Sequence, residues 1–86
     1  MFAGVWEETH TRIKYIIAKD SNNILRLFDG SNNPLDVNLI DNYDNTVVIN
    51  DRFNKKTLKE GKFVKNGLGI IWTDKNKNTI IWHRVA

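Results

Sequence analysis

The stretch IIWTDKNKNTIIW, residues 70–82, carries an Ile-Ile-Trp triplet on each side of a polar centre. Folding this stretch about its centre produces a β-hairpin with two mixed cross-strand pairs. The pairs are Trp72 with Ile80 and Ile70 with Trp82. Because successive side chains of a strand point to opposite faces, these four residues share one face with Leu68. Aromatic and β-branched pairs contribute about 0.2–1 kcal/mol each, so the stretch predicts a hairpin whose tryptophans lie in a core.

Turns rich in Asn, Asp and Gly divide the rest of the chain into short pieces with strand composition. We predict seven strands: Thr9–Lys19, Ile24–Phe28, Leu35–Ile40, Thr46–Asn50, Leu58–Val64, Leu68–Thr73 and Thr79–Val85. The best helix candidate, Arg52–Glu60, predicts at most one short turn. Consecutive strands joined by short polar turns form an antiparallel up-and-down meander. We therefore predict a single all-β domain over residues 1–86, twisted or partly closed into a barrel.

Alternation along these strands separates an inner apolar face from an outer one. The outer face also carries six apolar residues: Ile16, Ile24, Phe28, Val48, Ile71 and Ile81. If these side chains cluster, they predict either a second core, covered by Arg52–Glu60, or an interface. A two-fold homodimer is the commonest oligomer that buries such a face. We therefore predict a non-enzymatic domain that acts in self-association or in binding another protein.

The composition indicates an intracellular protein. The 86 residues include no cysteine, which excludes disulfides and cysteine zinc sites. No apolar run reaches the ~20 residues of a membrane span, and the start of the chain does not resemble a secretory signal. The abundant Asn, Ile and Lys have two interpretations. Asn fills turns, or the composition reflects an AT-rich genome, since it resembles that of small proteins from giant viruses, satellite viruses, phages and some low-GC bacteria.

Charge is uneven along the chain, although the net charge is only +3. A basic series follows residue 51: Arg52, Lys55, Lys56, Lys59, Lys62 and Lys65. This series has two interpretations. It contacts nucleic-acid phosphates, with Phe53, Phe63 or Tyr43 as stacking surfaces, or it is a solvated edge that discourages aggregation of strands. A nucleic-acid-binding β module is therefore an alternative function.

The sequence offers no convincing catalytic, metal-binding or cofactor-binding residues. Glu7, Glu8 and His10 lie close together, but no second pair of ligands accompanies them, as a zinc site would require. The other histidine, His83, is predicted to face outward. The two serines, Ser21 and Ser31, lie in Asn-rich turns without a neighbouring base to activate them. We predict no enzymatic activity, no metal and no cofactor.

The two ends of the chain carry a short family resemblance. Residues 2–6 read Phe-x-Gly-x-Trp, and Arg84 follows Trp82 by two residues in the last strand. These motifs resemble the calycin group, which comprises lipocalins and fatty-acid-binding proteins. The resemblance implies that Gly4 and Trp6 form an N-terminal element and that Arg84 lies over the Trp6 ring. Such a cation over an indole contributes about 0.5–2 kcal/mol and would close the first strand against the last.

The same resemblance implies a further alternative function, the carriage of a small hydrophobic ligand. Calycin chains are much longer than this one, and their middle strands have no counterpart here. A barrel of about eight strands is wide enough to be filled by side chains or to hold one small ligand. The nine aromatic residues, three Trp, two Tyr and four Phe, favour filling. The predicted structural core includes Trp6, Trp72, Trp82 and Arg84.

Overall fold

A computed structural model of the chain describes residues 2–42 and 44–86. Its strands are β1 Gly4–Glu8, β2 Lys14–Lys19, β3 Leu25–Asp29, β4 Val37–Asp41, β5 Thr46–Asp51, β6 Thr57–Val64, β7 Gly69–Asp74 and β8 Thr79–Arg84. They form one antiparallel sheet in the order β3-β2-β1-β8-β7-β6-β5-β4. Within the described residues, no helix is long and apolar enough to cross a membrane.

The sheet curls until its two edge strands, β3 and β4, lie beside each other. The Leu35 N–H donates to the Leu27 carbonyl at 2.9 Å, and Phe28 forms an isolated bridge with Pro34. Every other strand pairs with both of its neighbours. The fold is therefore a nearly closed up-and-down barrel, which confirms the predicted fold class.

The β7–β8 hairpin has the register that the repeated triplet predicts. Ile70 pairs with Trp82 and Trp72 pairs with Ile80. Ile70, Trp72 and Trp82 are each at most 6% exposed, so the inner face of this hairpin belongs to the core. The Trp72 and Trp82 rings meet edge to face with centroids 5.0 Å apart, a favourable arrangement for two aromatic rings.

The predicted strand count is one too low because β1 was missed. Residues 9–13, which were assigned to the first strand, form the turn between β1 and β2, and Ile13 is 50% exposed. β1 instead reads Gly-Val-Trp-Glu-Glu. Its inward side chains include a glycine and a glutamate, so it lacks the apolar alternation by which strands are recognised.

Two local predictions were also wrong. Arg52–Glu60 contains no helix: it is the β5–β6 turn followed by the start of β6. The one short helical segment of the described residues is a 3-10 turn at Lys65–Gly67, where Asn66 has a positive φ of 57°. Leu68 follows this turn and is 60% exposed, so it does not join the core face of the hairpin.

Five turns share one construction, in which an acidic residue stands at the end of the incoming strand or directly after it. Its carboxylate accepts hydrogen bonds from backbone N–H groups two to four residues later; these acids are Glu8, Asp20, Asp29, Asp51 and Asp74. A residue with φ of 63–68° completes each turn: Arg12, Asn23, Asn32, Lys55 and Lys77. The turn hydrogen bonds lower the pKa of four of the carboxyl groups, those of Glu8, Asp29, Asp51 and Asp74.

Candidate functional site

One end of the barrel is closed by an aromatic layer. The Phe2 and Phe63 rings stack with centroids 3.8 Å apart, and the Trp6 ring packs 6.1 Å from Phe63. Arg84 lies over the Trp6 ring, with its guanidinium carbon 4.3 Å from the ring centroid. The Trp6 Nε1–H donates to the Phe2 carbonyl at 2.9 Å. The indole N–H of Trp6 is therefore paired at this closed end.

The Arg84 guanidinium also ties both chain ends to this closed end. Its Nη1 donates to the Ala3 carbonyl at 2.7 Å, and its Nε donates to the Gly67 carbonyl at 3.1 Å. β1 and β8 are paired, with Trp6 opposite Arg84. The arrangement of these two residues is thus the one that the terminal motifs imply.

The opposite end of the barrel contains a cavity of about 210 Å³. It is lined by residues from seven of the eight strands: Tyr15, Leu27, Val37, Ile49, Leu58, Lys59, Trp72 and Trp82. Residues from that many strands meet only at the barrel interior, so the cavity is the open end of that interior. The turns around its mouth are residues 9–13, 30–36, 52–56 and 75–78.

An aromatic pair forms one wall of the cavity. The Tyr15 and Trp82 rings are stacked almost parallel, with centroids 4.5 Å apart and planes inclined by 6°. Trp72 meets Trp82 edge to face. Because these rings hold each other in place, the wall is a flat and rigid surface against which a second apolar or aromatic group can pack.

The indole N–H of Trp72 has no hydrogen-bond partner. The Trp72 residue is 1% exposed, and its Nε1 atom is the one buried side-chain polar atom without a partner among the residues that the structure describes. A Cβ placed on Gly61 would meet Cζ3 and Cε3 of the Trp72 ring. The Nε1 edge lies on the opposite side of that ring, away from Gly61, and the Nε1 atom is fully covered by the surrounding protein. A buried donor left unpaired costs about 1–3 kcal/mol.

Lys59 is a second donor without a hydrogen-bonding partner at this end. It lines the cavity and is only partly exposed, and within residues 2–42 and 44–86 it forms no hydrogen bond or salt bridge. Its neighbour across the strands is Asp74, whose carboxylate is engaged by the backbone N–H groups of Asn76 and Asn78. Those bonds, that of Asn78 first, lower the pKa of Asp74, and Lys59 adds a smaller contribution.

The basic series does not form one continuous surface. Lys59 lies on the inner face of β6, Lys62 lies on the outer face of the same strand, and Lys65 lies in the 3-10 turn at the closed end. The other three, Arg52, Lys55 and Lys56, lie in the β5–β6 turn at the cavity mouth. Nucleic-acid contact through the whole series stays a prediction.

The three proposed stacking residues have different surroundings. Phe53 is 80% exposed at the tip of the β5–β6 turn. Phe63 is engaged in the aromatic layer of the closed end. Tyr43 lies outside the described residues.

The six outer apolar residues fall into separate groups. Ile16 and Phe28 are cross-strand neighbours, and Val5 continues their row on β1. Ile71 pairs with Ile81 on β7 and β8. The other two stand apart, Val48 beside Ile40 on β5 and β4, and Ile24 in the β2–β3 turn.

The acidic and histidine residues near β1 are occupied by ordinary contacts. Glu7 accepts a hydrogen bond from Arg12 at 2.9 Å and lies 3.4 Å from His83. Glu8 accepts its hydrogen bond from the Thr11 backbone. The described residues contain no group of three or more side chains that could hold a metal ion.

Comparison with known proteins finds no family model, no curated protein and no solved structure that matches this chain. The clearest features of the candidate site are the Tyr15–Trp82 wall and the two unpaired donors, Trp72 Nε1 and the Lys59 amine.

Sequence reasoning missed Lys59 as a cavity residue because it grouped this lysine with its basic neighbours. The signal was present in the alternation of β6. Gly61 lies inward, opposite Trp72, and a residue two positions away points to the same face. Lys59 could thus have been placed inward by counting back from that glycine.

Proposed function

We propose that the barrel binds a small, largely apolar molecule that carries a hydrogen-bond acceptor. The observation that carries this proposal is the buried Trp72 N–H without a partner beside an apolar cavity. Buried polar groups in native proteins are almost always hydrogen-bonded, so an exception needs an explanation. A small turn of the Trp72 ring on binding would bring this covered donor to an acceptor on the ligand, and the rest of the ligand would pack on the Tyr15–Trp82 wall.

Nuclear magnetic resonance of the indole N–H groups tests this proposal. The probes are phenylacetate and its neutral analogue phenylacetamide, each added at about 1 mM, where even weak binding is measurable. The Trp72 resonance should move with at least one probe. Trp6 is an internal control, because its N–H is bonded to the Phe2 carbonyl at the closed end. If neither probe moves the Trp72 resonance, or if the Trp6 resonance moves equally, the proposal is wrong.

A second proposal, self-association, is supported by one feature of the outer surface. Val5, Ile16 and Phe28 form an apolar row across three strands, and Val85, bonded to Val5 through the backbone, extends it. We call these four residues the outer stripe. Two-fold dimers are the commonest oligomers, and they bring the same surface of both copies into contact.

Self-association through the outer stripe should be weak, because standard interfaces use roughly 20–30 residues on each side. Light scattering over a range of concentrations should show a monomer–dimer equilibrium. The variant Ile16→Lys should remain monomeric, whereas Ile71→Lys, which changes a different outer group, should dimerise like the original protein. A monomer at every concentration, or loss of dimer in both variants, would contradict this second proposal.

A further inference from the structure

The size of the cavity limits the ligand to about one ring. Its volume of about 210 Å³ exceeds the roughly 150 Å³ of an engineered cavity that binds benzene. It is smaller than the roughly 300–1,000 Å³ of pockets for drug-sized ligands. A six-membered aromatic ring with a short polar substituent fits between these limits, whereas a long acyl chain does not.

The shape and chemistry of the walls favour an aromatic ring. The almost parallel Tyr15–Trp82 pair presents a flat face, and Trp72, which meets Trp82 at a steep angle, closes the adjacent side. The remaining walls are aliphatic, from Leu27, Val37, Ile49 and Leu58. Offset stacking and edge-to-face contacts stabilise aromatic pairs beyond the burial of their area.

The two residues that carry the unpaired donors are neighbours on the barrel wall. Trp72 is opposite Gly61 across the strands, and Lys59 precedes Gly61 by two residues, so Lys59 and Trp72 are diagonal neighbours on the inner face. Diagonal neighbours are about 7–8 Å apart at Cα, within reach of long side chains. Two donors, one of them cationic, match the two oxygens of a carboxylate.

The rim next to these donors is positively charged. Exposed cations lie on the two adjacent turns, residues 52–56 and 75–78: Arg52, Lys55, Lys56, Lys75 and Lys77. Three acids also lie nearby, Asp36, Asp51 and Asp74, so the five cations exceed them by two. A net positive charge at the mouth attracts ligands of the opposite sign.

We infer that the ligand is a compact aromatic monocarboxylate. Its ring packs against Tyr15 and Trp82, and its carboxylate accepts hydrogen bonds from the Trp72 Nε1–H and the Lys59 ammonium. This inference rests on the proposed function and narrows it to a chemical class. It also assigns a role to Lys59, which forms no hydrogen bond or ion pair among the residues that the structure describes.

The test compares phenylacetate with phenylacetamide, which has nearly the same shape but no charge. Affinities are measured by titration, with the Trp72 resonance as the readout. Phenylacetate should bind about tenfold more tightly, which corresponds to about 1.4 kcal/mol. This figure is below the full strength of a charge-assisted hydrogen bond because Lys59 is partly solvated. Phenethylamine, a cation of similar shape, should bind least.

Two matched lysine variants identify the cation. Lys59→Met keeps the length and apolar stem of the side chain and should abolish most of the preference for phenylacetate. Lys62→Met changes a lysine on the outer face of the same strand and should leave the preference intact. Circular dichroism shows whether each variant is folded, and the comparison of probes in the original protein does not depend on either variant.

The outcomes separate this inference from the proposed function. Equal affinities for phenylacetate and phenylacetamide, or a preference that persists in Lys59→Met, would overturn the carboxylate inference and leave the proposed function standing. Tighter binding of phenethylamine than of phenylacetate would also overturn the carboxylate inference and leave the proposed function standing. Absence of binding by all three probes would overturn both.

Discussion

Replacing Trp6 with alanine is expected to destabilise the barrel by about 3–5 kcal/mol, the usual cost of removing a large aromatic side chain from a core. Small domains have total stabilities of about 5–15 kcal/mol, and those of this size lie near the lower end. The variant should therefore be largely unfolded at room temperature or melt far below the original protein.

The expected cost is high because Trp6 makes several different contacts. Its side chain is fully buried, and its removal leaves a cavity under Phe63. The Phe2 carbonyl loses the hydrogen bond that it accepts from the indole N–H, and the Arg84 guanidinium loses the ring beneath it. The residue also lies in the middle of β1, opposite Tyr15 on one side and Arg84 on the other. Its loss therefore removes packing contacts with both neighbouring strands.

Urea denaturation followed by circular dichroism measures the change in the free energy of unfolding. Phe53→Ala is the matched control, since it also removes an aromatic ring, but from a side chain that is 80% exposed. Its effect should stay within about 0.5 kcal/mol, as for most surface substitutions. Equal stability of the two variants would show that the closed end does not hold the barrel together.

The sequence predicts the β7–β8 hairpin well because two independent signals agree there. Apolar residues alternate with the strand period, and the polar centre supplies Asp74 and Asn78, which form the turn. β1 carries neither signal. Its Glu8 is buried because it caps the following turn, so a charged residue occupies an inward position where a pattern of hydrophobicity predicts an apolar one.

The candidate site was much harder to predict than the fold. The Trp72 side chain was assigned to the core from its pairing with Ile80, but a pairing does not show whether an indole N–H finds an acceptor. That depends on the orientation of the ring and on every atom around it. The cavity is hard to predict for the same reason, since it depends on how the side chains of seven strands fill a common space.

The clearest test of this packing is Gly61→Val, which we expect to destabilise the protein by about 3 kcal/mol or more, at or beyond the upper end of the usual cost of overpacking a core. A Cβ at this position would lie 2.6 Å from Cζ3 of Trp72 and 3.0 Å from Cγ2 of Ile70. Valine adds two further methyl groups. Strand propensity alone predicts that Gly61→Val stabilises the protein, because valine favours strands and glycine does not.

The control for strand propensity is Lys62→Val, at the next position on β6, where the side chain points outward. It should leave stability unchanged or raise it slightly, which thermal melting can measure. Destabilisation by Lys62→Val as large as that by Gly61→Val would mean that β6 is sensitive to valine as such, and not to contact with the Trp72 ring.

A double-mutant cycle decides whether the Trp72 ring is the cause. Trp72→Leu removes the ring atoms that the new side chain would meet, at a cost of its own because it leaves a cavity. In the Trp72→Leu background, Gly61→Val should lower the free energy of unfolding by less than it does in the original protein, since part of the added volume fills that cavity. Residues in contact commonly show interaction energies of about 0.5–3 kcal/mol, and strict additivity here would mean that Gly61 and Trp72 do not touch.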